Sequence, residues 1–266
     1  MVSEYPIKTY KALTGVPPKA QPFFITSCPD NDQVVIIIHG VSSTPYSLHF
    51  IADILATSGY DVDTILLAGH GTTLADLRRS TFHDWVESAD TAVQANLARY
   101  KKVYILGYSF GASLAIHLGV CYPQIKGIIS LGIPITLYKE NTIRALLPLA
   151  RFFLRNYKKH WITAEKAKLL PELGQHTHIP VPTLVQFRRF ISHCTKRDIP
   201  HLRVPILIGH SRADRVADPV SSQYLFQNLK VKDKSLYLID HGNHRVDEVV
   251  SRDFVSHKIL RFLQKH

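Results

Sequence analysis

Residues 103–112 read Val103-Tyr104-Ile105-Leu106-Gly107-Tyr108-Ser109-Phe110-Gly111-Ala112, an apolar run that delivers a serine between two glycines. The β-branched and aromatic residues that open it predict a strand. The following residues, Ser113-Leu114-Ala115-Ile116-His117-Leu118-Gly119-Val120, predict a helix packed on a sheet. A sharp strand-to-helix turn pushes the residue at its apex into the open, and it tolerates only tiny neighbours two positions to either side. The G-x-S-x-G pattern alone would arise by chance in roughly one chain in ten of this length. Its position between a strand and a helix gives it weight, and Ser109 is the candidate nucleophile.

The same rhythm runs through the first half of the chain. Residues 33–38 predict a strand, 45–58 a helix that Gly59 ends, and 61–67 a strand running into Ala-Gly-His-Gly. Residues 81–100 predict a helix, and 126–131 a strand after the Ser109 helix. Alternating strands and helices imply an α/β fold, a mostly parallel sheet covered by helices on both faces. In such sheets the working loops lie at the carboxyl ends of the strands, where Ser109 falls. The rhythm breaks after Ile135. Up to Val204 the chain carries proline, basic residues and short amphipathic helices with little strand character, including an apolar stretch over 143–154 interrupted by Pro148. Strands resume at 205–209 and 235–239, and a helix over 248–263 closes the chain. The expected organisation is a core of residues 1–137 and 205–266 with an inserted helical cap, residues 138–204.

The chain has 266 residues and a formal net charge of +11. Residues 138–204 hold 13 Lys and Arg against 4 Asp and Glu, so +9 of that charge lies in the insertion. No zinc-ligand spacing, helix-turn-helix signal or aromatic RNA-binding signature accompanies it, so nucleic-acid binding is not expected. Arg151, Arg155, Lys158 and Lys159 flank Phe152, Phe153 and Leu154, a basic-amphipathic segment suited to steering anionic substrates or resting on an anionic lipid surface. The three cysteines, Cys28, Cys121 and Cys194, are odd in number and widely spaced, against a disulfide framework. With no apolar targeting or membrane-spanning stretch, the expectation is a soluble cytoplasmic protein.

A serine nucleophile needs a base, a carboxylate that orients the base, and backbone donors for the developing oxyanion. In a strand-turn-helix architecture the acid and then the histidine follow the serine, which eliminates most of the 15 histidines. Asp214 follows the resumed strand and is the favoured acid; Asp218, before Pro219, suits a helix cap, and Asp240 is the rival. His241 and His244 both qualify as the base. Their H-x-x-H spacing is weak evidence for a metal, and no metal or organic cofactor is expected. The amide of Phe110, which opens the helix, and that of Val41, beyond Gly40, are the expected oxyanion donors. His39 precedes the serine and is expected to brace its loop.

These residues resemble the compact carboxylesterase and monoacylglycerol lipase group of the α/β-hydrolase superfamily. The resemblance spans residues 34–263. Its landmarks are Ile38-His39-Gly40, Gly69-His70-Gly71, Asp84-Trp85, Gly107-Tyr108-Ser109-Phe110-Gly111, Arg212-Ala213-Asp214 and Gly242-Asn243-His244. It implies the α/β-hydrolase fold, Ser109 as nucleophile, Asp214 as acid and His244 as base, with oxyanion amides at Val41 and Phe110. The small-residue pair before His244 decides between the two histidines. The insertion has no motif that matches the group, so substrate identity does not carry over. A short- or medium-chain monoester or a monoacylglycerol is the expected substrate, with Leu146, Leu149, Phe152, Phe153 and Trp161 as apolar cover. Thioesterase, amidase and lactonase activities use the same site; lyases and ligand-binding receptors use the same scaffold.

Overall fold

The computed structural model describes residues 7–9, 12–138, 154–160, 162–240, 242–244 and 252–266. Its centre is an eight-stranded sheet in the order β1-β2-β4-β3-β5-β6-β9-β10. The strands are β1 (Ile7–Thr9), β2 (Phe23–Ile25), β3 (Gln33–Ile38), β4 (Asp61–Ile65), β5 (Lys102–Tyr108), β6 (Gly127–Leu131), β9 (Ile206–Ser211) and β10 (Lys234–Ile239). The six strands β4, β3, β5, β6, β9 and β10 pair in parallel, while β1 and β2 form an antiparallel edge that the hydrophobic pattern did not announce.

The run Val34-Val35-Ile36-Ile37-Ile38 is apolar at every position because both faces of β3 are covered. Val34, Ile36 and Ile38 join Val103, Ile105 and Ile128 on one face. Val35 and Ile37 join Tyr104, Leu106 and Ile129 on the other. The second face is closed by α1 (His49–Thr57), preceded by a 3-10 turn over Pro45–Leu48, and by the last helix, Arg252–Lys265. The first is closed by α3 (Phe82–Leu97) and α4 (Phe110–Cys121), with α2 (Leu74–Arg79) before them. Helix α4 has buried residues all round its axis, as expected of a helix enclosed by sheet and neighbours rather than of a surface helix.

From β3 the chain passes over one face to β4; from β5 it passes over the other to β6. The loops after β3 and β5 therefore diverge at adjacent carboxyl ends and leave a crevice between them. Gly40 and Ser109 stand on its two sides.

Between β6 and β9 the insertion is less purely helical than its composition suggested. Strands β7 (Asn156–Lys158) and β8 (His178–Pro180) pair antiparallel in a second small sheet. Helices α5 (Ala164–Leu169) and α6 (Val181–Phe190) accompany them, and α6 continues through a π-helical turn at Ile191–Thr195. Phe187 and Phe190 of α6 enter the first core cluster, so part of the insertion is core. The expected apolar stretch over 143–154 lies outside the described residues apart from Leu154. Leu146, Leu149, Arg151, Phe152, Phe153, Trp161 and His241 lie outside them too.

The Asp84-Trp85 landmark has a structural explanation. Thr81 caps α3 by accepting from the Asp84 amide, and the Asp84 carboxylate accepts from the Thr81 amide in return, at 2.7 Å. Trp85, one residue on, is fully buried and donates its indole N–H to Ser80 Oγ at 3.0 Å. Thr81→Ala should cost about 1 kcal/mol of stability with the fold unchanged, as urea unfolding followed by circular dichroism would register.

Candidate active site

The turn that carries Ser109 is built by the near absence of side chains. A Cβ on Gly107 would run into the Gly111 carbonyl, and one on Gly111 into the carbonyl of Ile38. With both positions bare, α4 can start directly above the end of β5 and against the end of β3. Ser109 takes φ 55° and ψ −121°, a conformation that a residue with a side chain normally avoids. Such strain costs roughly 1–3 kcal/mol and persists only where the surroundings enforce it. Here the Ser109 amide donates to the Leu131 carbonyl at 2.8 Å, and its own carbonyl accepts from the Ala112 amide at 2.9 Å. The Phe110 side chain, fully buried, anchors the far side against Trp85, Phe187 and Phe190 at ring separations of 5.2, 5.6 and 5.3 Å.

Ser109, His244 and Asp214 meet although 135 and 30 residues separate the bonded pairs. His244 Nε2 lies 3.0 Å from Ser109 Oγ, and His244 Nδ1 lies 2.7 Å from Asp214 Oδ2. The carboxylate can only accept, so Nδ1 carries the proton and Nε2 presents its lone pair to the serine hydroxyl. Asp214 is 3% exposed. Burial by itself would raise its carboxyl, but hydrogen bonds from His210 and His244, and from the Val216 amide, overcome that and hold it below the usual carboxylate range. The Val216 and Ala217 amides reach Oδ1 at 2.8 and 3.0 Å, and His210 Nε2 reaches Oδ2 at 3.2 Å.

The rival residues are occupied elsewhere. Asp240 is exposed and pairs with Arg212 Nε at 2.8 Å. Asp218 accepts from the Val220 amide at 3.0 Å, at the start of the helix Val220–Asn228. His39 is fully buried. Its Nε2 accepts from the Leu67 amide at 3.1 Å, which leaves Nδ1 protonated to donate to the Gly40 carbonyl at 2.8 Å. Burial pushes the imidazole down to about 4, so it braces the loop as a neutral ring.

Val41 lies in a turn closed by the bond from the Ser43 amide to the Gly40 carbonyl, 3.2 Å, with Ser42 at φ 57°. A Cβ on Gly40 would sit 3.0 Å from Ser109 Cβ, so this turn lies directly against the serine. Phe110 is the first residue of α4, and its amide is among the four that an α-helix cannot satisfy internally.

Several contributors escaped sequence reasoning. His210, next to last in β9, lies beneath Asp214. Asn243 Oδ1 accepts from the Arg215 amide at 3.0 Å and from the His244 amide at 2.9 Å, tying the histidine loop to the acid loop. Ser211 Oγ donates to the Gly242 carbonyl at 2.7 Å, and the Tyr108 hydroxyl donates to the His244 carbonyl. Only a polar side chain at the buried end of a strand, as at His210, signals such a role in advance. Lys159, expected on a basic exposed segment, is instead buried at 7% exposure, with Nζ donating to the Ser42 carbonyl at 3.1 Å. The turn at residue 42 has a carbonyl facing the insertion, and the lysine satisfies it. Among the described residues no group of three or more His, Cys, Asp or Glu side chains is placed to hold a metal ion.

A mostly parallel sheet flanked by helices, with a serine at a strand-to-helix turn in the crevice, defines an α/β-hydrolase. Residues 29–247 match the Hydrolase_4 family (serine aminopeptidase, S33), and the chain belongs to that family of serine hydrolases. It is 28% identical over 257 residues to the thermostable monoacylglycerol lipase of Bacillus sp. strain H-257, covering 97% of this chain and 98% of that one. It is 22% identical over 236 residues to a carboxylesterase of Bacillus subtilis strain 168, covering 88% and 93% of the two chains. A solved structure from work on the metagenome-derived lipolytic enzymes LipS and LipT superposes with a TM-score of 0.83 at 23% identity, over 94% of this chain and 100% of that one.

The Asp214 carboxyl gives a pH prediction. An unfolded aspartate titrates at about 3.9. Below that range the unfolded chain binds a proton that the folded one still refuses, so stability falls as pH drops. Acid unfolding of the wild type should therefore steepen from about pH 5 downward. Asp214→Asn should be less stable at neutral pH and show a shallower acid slope in urea titrations at stepped pH.

Proposed function

We propose that this chain is a carboxylic ester hydrolase of short- to medium-chain monoesters or monoacylglycerols, with Ser109 as nucleophile, His244 as base and acid, and Asp214 as orienting carboxylate. The observation that carries the reading is the unbroken chain of hydrogen bonds from Asp214 through His244 to Ser109, at 2.7 and 3.0 Å. His244 takes the Ser109 proton as the oxygen attacks the ester carbonyl, and Asp214 steadies the imidazolium. The Val41 and Phe110 amides receive the negative charge of the tetrahedral oxygen. Collapse expels the alcohol with the proton from His244 and leaves an acyl group on Ser109. Water then repeats the sequence and frees the acid. No step calls for a metal or an organic cofactor.

Residues 138–204 act in this reading as a cap over the crevice. Support comes from its bonds to the loops around the site: Thr44 Oγ1 donates to the Leu173 carbonyl at 2.9 Å, and Gln175 Nε2 donates to Ser47 Oγ at 2.9 Å. Leu154, Tyr157 and Leu169 are exposed on this insertion, in sequence company with Arg155, Lys158, Lys166 and Lys168. That combination supports peripheral contact with an anionic lipid surface. Binding to vesicles containing phosphatidylglycerol should then be measurable by co-sedimentation and weaken with added salt. Among the described residues no helix is long and apolar enough to cross a membrane. The three thiols are free, which supports a cytoplasmic enzyme in a reducing compartment.

Hydrolysis of p-nitrophenyl esters from acetate to laurate tests the reading. Turnover should peak at one chain length, and Ser109→Ala should lower kcat by about a thousandfold or more without unfolding the protein. Labelling of Ser109 by a fluorophosphonate without ester turnover would move the assignment to thioesters, amides or lactones. Absence of both would overturn it in favour of a lyase or a receptor.

A further inference from the structure

Lys159 follows β7, and its backbone is held within the insertion: its amide donates to the Thr177 carbonyl at 2.8 Å, and its carbonyl accepts from the Ile162 amide at 3.3 Å. From this fixed base the side chain runs inward to the Ser42 carbonyl. Ser42 belongs to the turn over residues 40–43 that lies against Ser109. Among the described residues no carboxylate pairs with the ammonium. The titratable groups that act on it, or feel it, are Lys166 on α5, His70 in the Gly69-His70-Gly71 loop and His176 after α5.

A lysine kept only for its aliphatic stem would extend its head group to water. A backbone carbonyl that needed only a donor could be served by a neutral side chain at lower desolvation cost. A buried cation with one backbone partner is therefore an expensive way to fix a loop. It becomes useful where negative charge develops nearby in a site of low dielectric, because a fixed positive group there acts with little screening.

We propose that Lys159 is a positioning residue of the oxyanion site: it fixes the turn over residues 40–43 through the Ser42 carbonyl, and its charge reinforces the pull of that turn's amides on the developing oxyanion. The proposal rests on the assignment of Ser109 as nucleophile. It makes the site sensitive to the protonation of a residue outside the Ser109, His244 and Asp214 set. Burial, aided by the Lys166 charge, pushes the Lys159 ammonium down to about 7. Its charge is therefore present below neutrality and lost above it. His70 is held neutral by burial, at about 3, and His176 is lowered by burial too, so neither gains or loses a proton in that alkaline window.

The test is kcat and KM for p-nitrophenyl butyrate from pH 6 to 9, for the wild type, Lys159→Met and Lys159→Arg, each checked for folding by circular dichroism. Fluorophosphonate labelling of the wild type runs alongside. The wild type should lose kcat as pH rises through neutrality. Lys159→Met should lower kcat at pH 6 by about tenfold, with KM little changed and the alkaline decline gone. Lys159→Arg keeps its charge throughout the range and should carry activity to higher pH. A purely structural lysine would lower stability or raise KM without moving the alkaline limb.

A folded Lys159→Met protein with the wild-type pH profile overturns the proposal. If Lys159→Met does not fold, an unmoved alkaline limb in Lys159→Arg overturns it equally. Failure of the wild type to label and turn over would instead overturn the Ser109 assignment, so the two failures are distinguishable.

Discussion

The contact on which the rest of the site depends is between a glycine and a carbonyl. Gly111, in the first turn of α4, lies so close to Ile38 at the end of β3 that a methyl group would not fit. Gly107 bears the same relation to the helix above it. These approaches bring the turn that carries Ser109 and the neighbouring loop within reach of each other, and they hold Ser109 in a backbone conformation it would not adopt alone. The strain is local, and the surrounding bonds to Leu131 and Ala112 share it.

Around that contact the protein buries a set of polar groups. His39 and His70 stand ring to ring at 5.1 Å, and His70 stands 5.8 Å from Trp85. Asp214 lies beneath His244, with His210 behind it. Each is costly to desolvate, and most are matched by backbone donors or acceptors from the loops they hold. The geometry of the crevice is therefore set by hydrogen bonds that fix loops, while the apolar core fixes only the strand ends from which those loops leave. The insertion takes part in both. Phe187 and Phe190 pack on Phe110 in the core, while Lys159, Leu173 and Gln175 bond to the loop after β3.

Much of this was legible beforehand, for identifiable reasons. Strands β3, β5, β6 and β9 are buried on both faces and therefore read as mostly apolar runs, broken in β6 by Ser130 and in β9 by Gly209, His210 and Ser211. The turn at Ser109 was legible because the glycines at 107 and 111 have no substitutes there. The pattern favours Asp214 over Asp240 because Asp214 precedes a helix cap, although both follow strands; the structure adds that Asp240 turns outward to Arg212 while Asp214 is buried against His244. The edge strands β1 and β2 and the β7–β8 hairpin are too short to show a period. Lys159 was misplaced because charge in a sequence defaults to the surface, and only a neighbouring carbonyl at a distant loop makes its burial tolerable.

The sequence by itself determined the class of fold, the candidate nucleophile and the order expected of its partners. Those properties rest on local rules: periodic burial, glycine's freedom at a tight turn, and capping at helix starts. The tertiary structure alone decided the distances at which Asp214, His244 and Ser109 meet, that His210 stands behind Asp214, and that a lysine from the insertion reaches the loop beside the serine. Most of these depend on contacts between residues far apart in the chain, and no local pattern encodes where such residues meet.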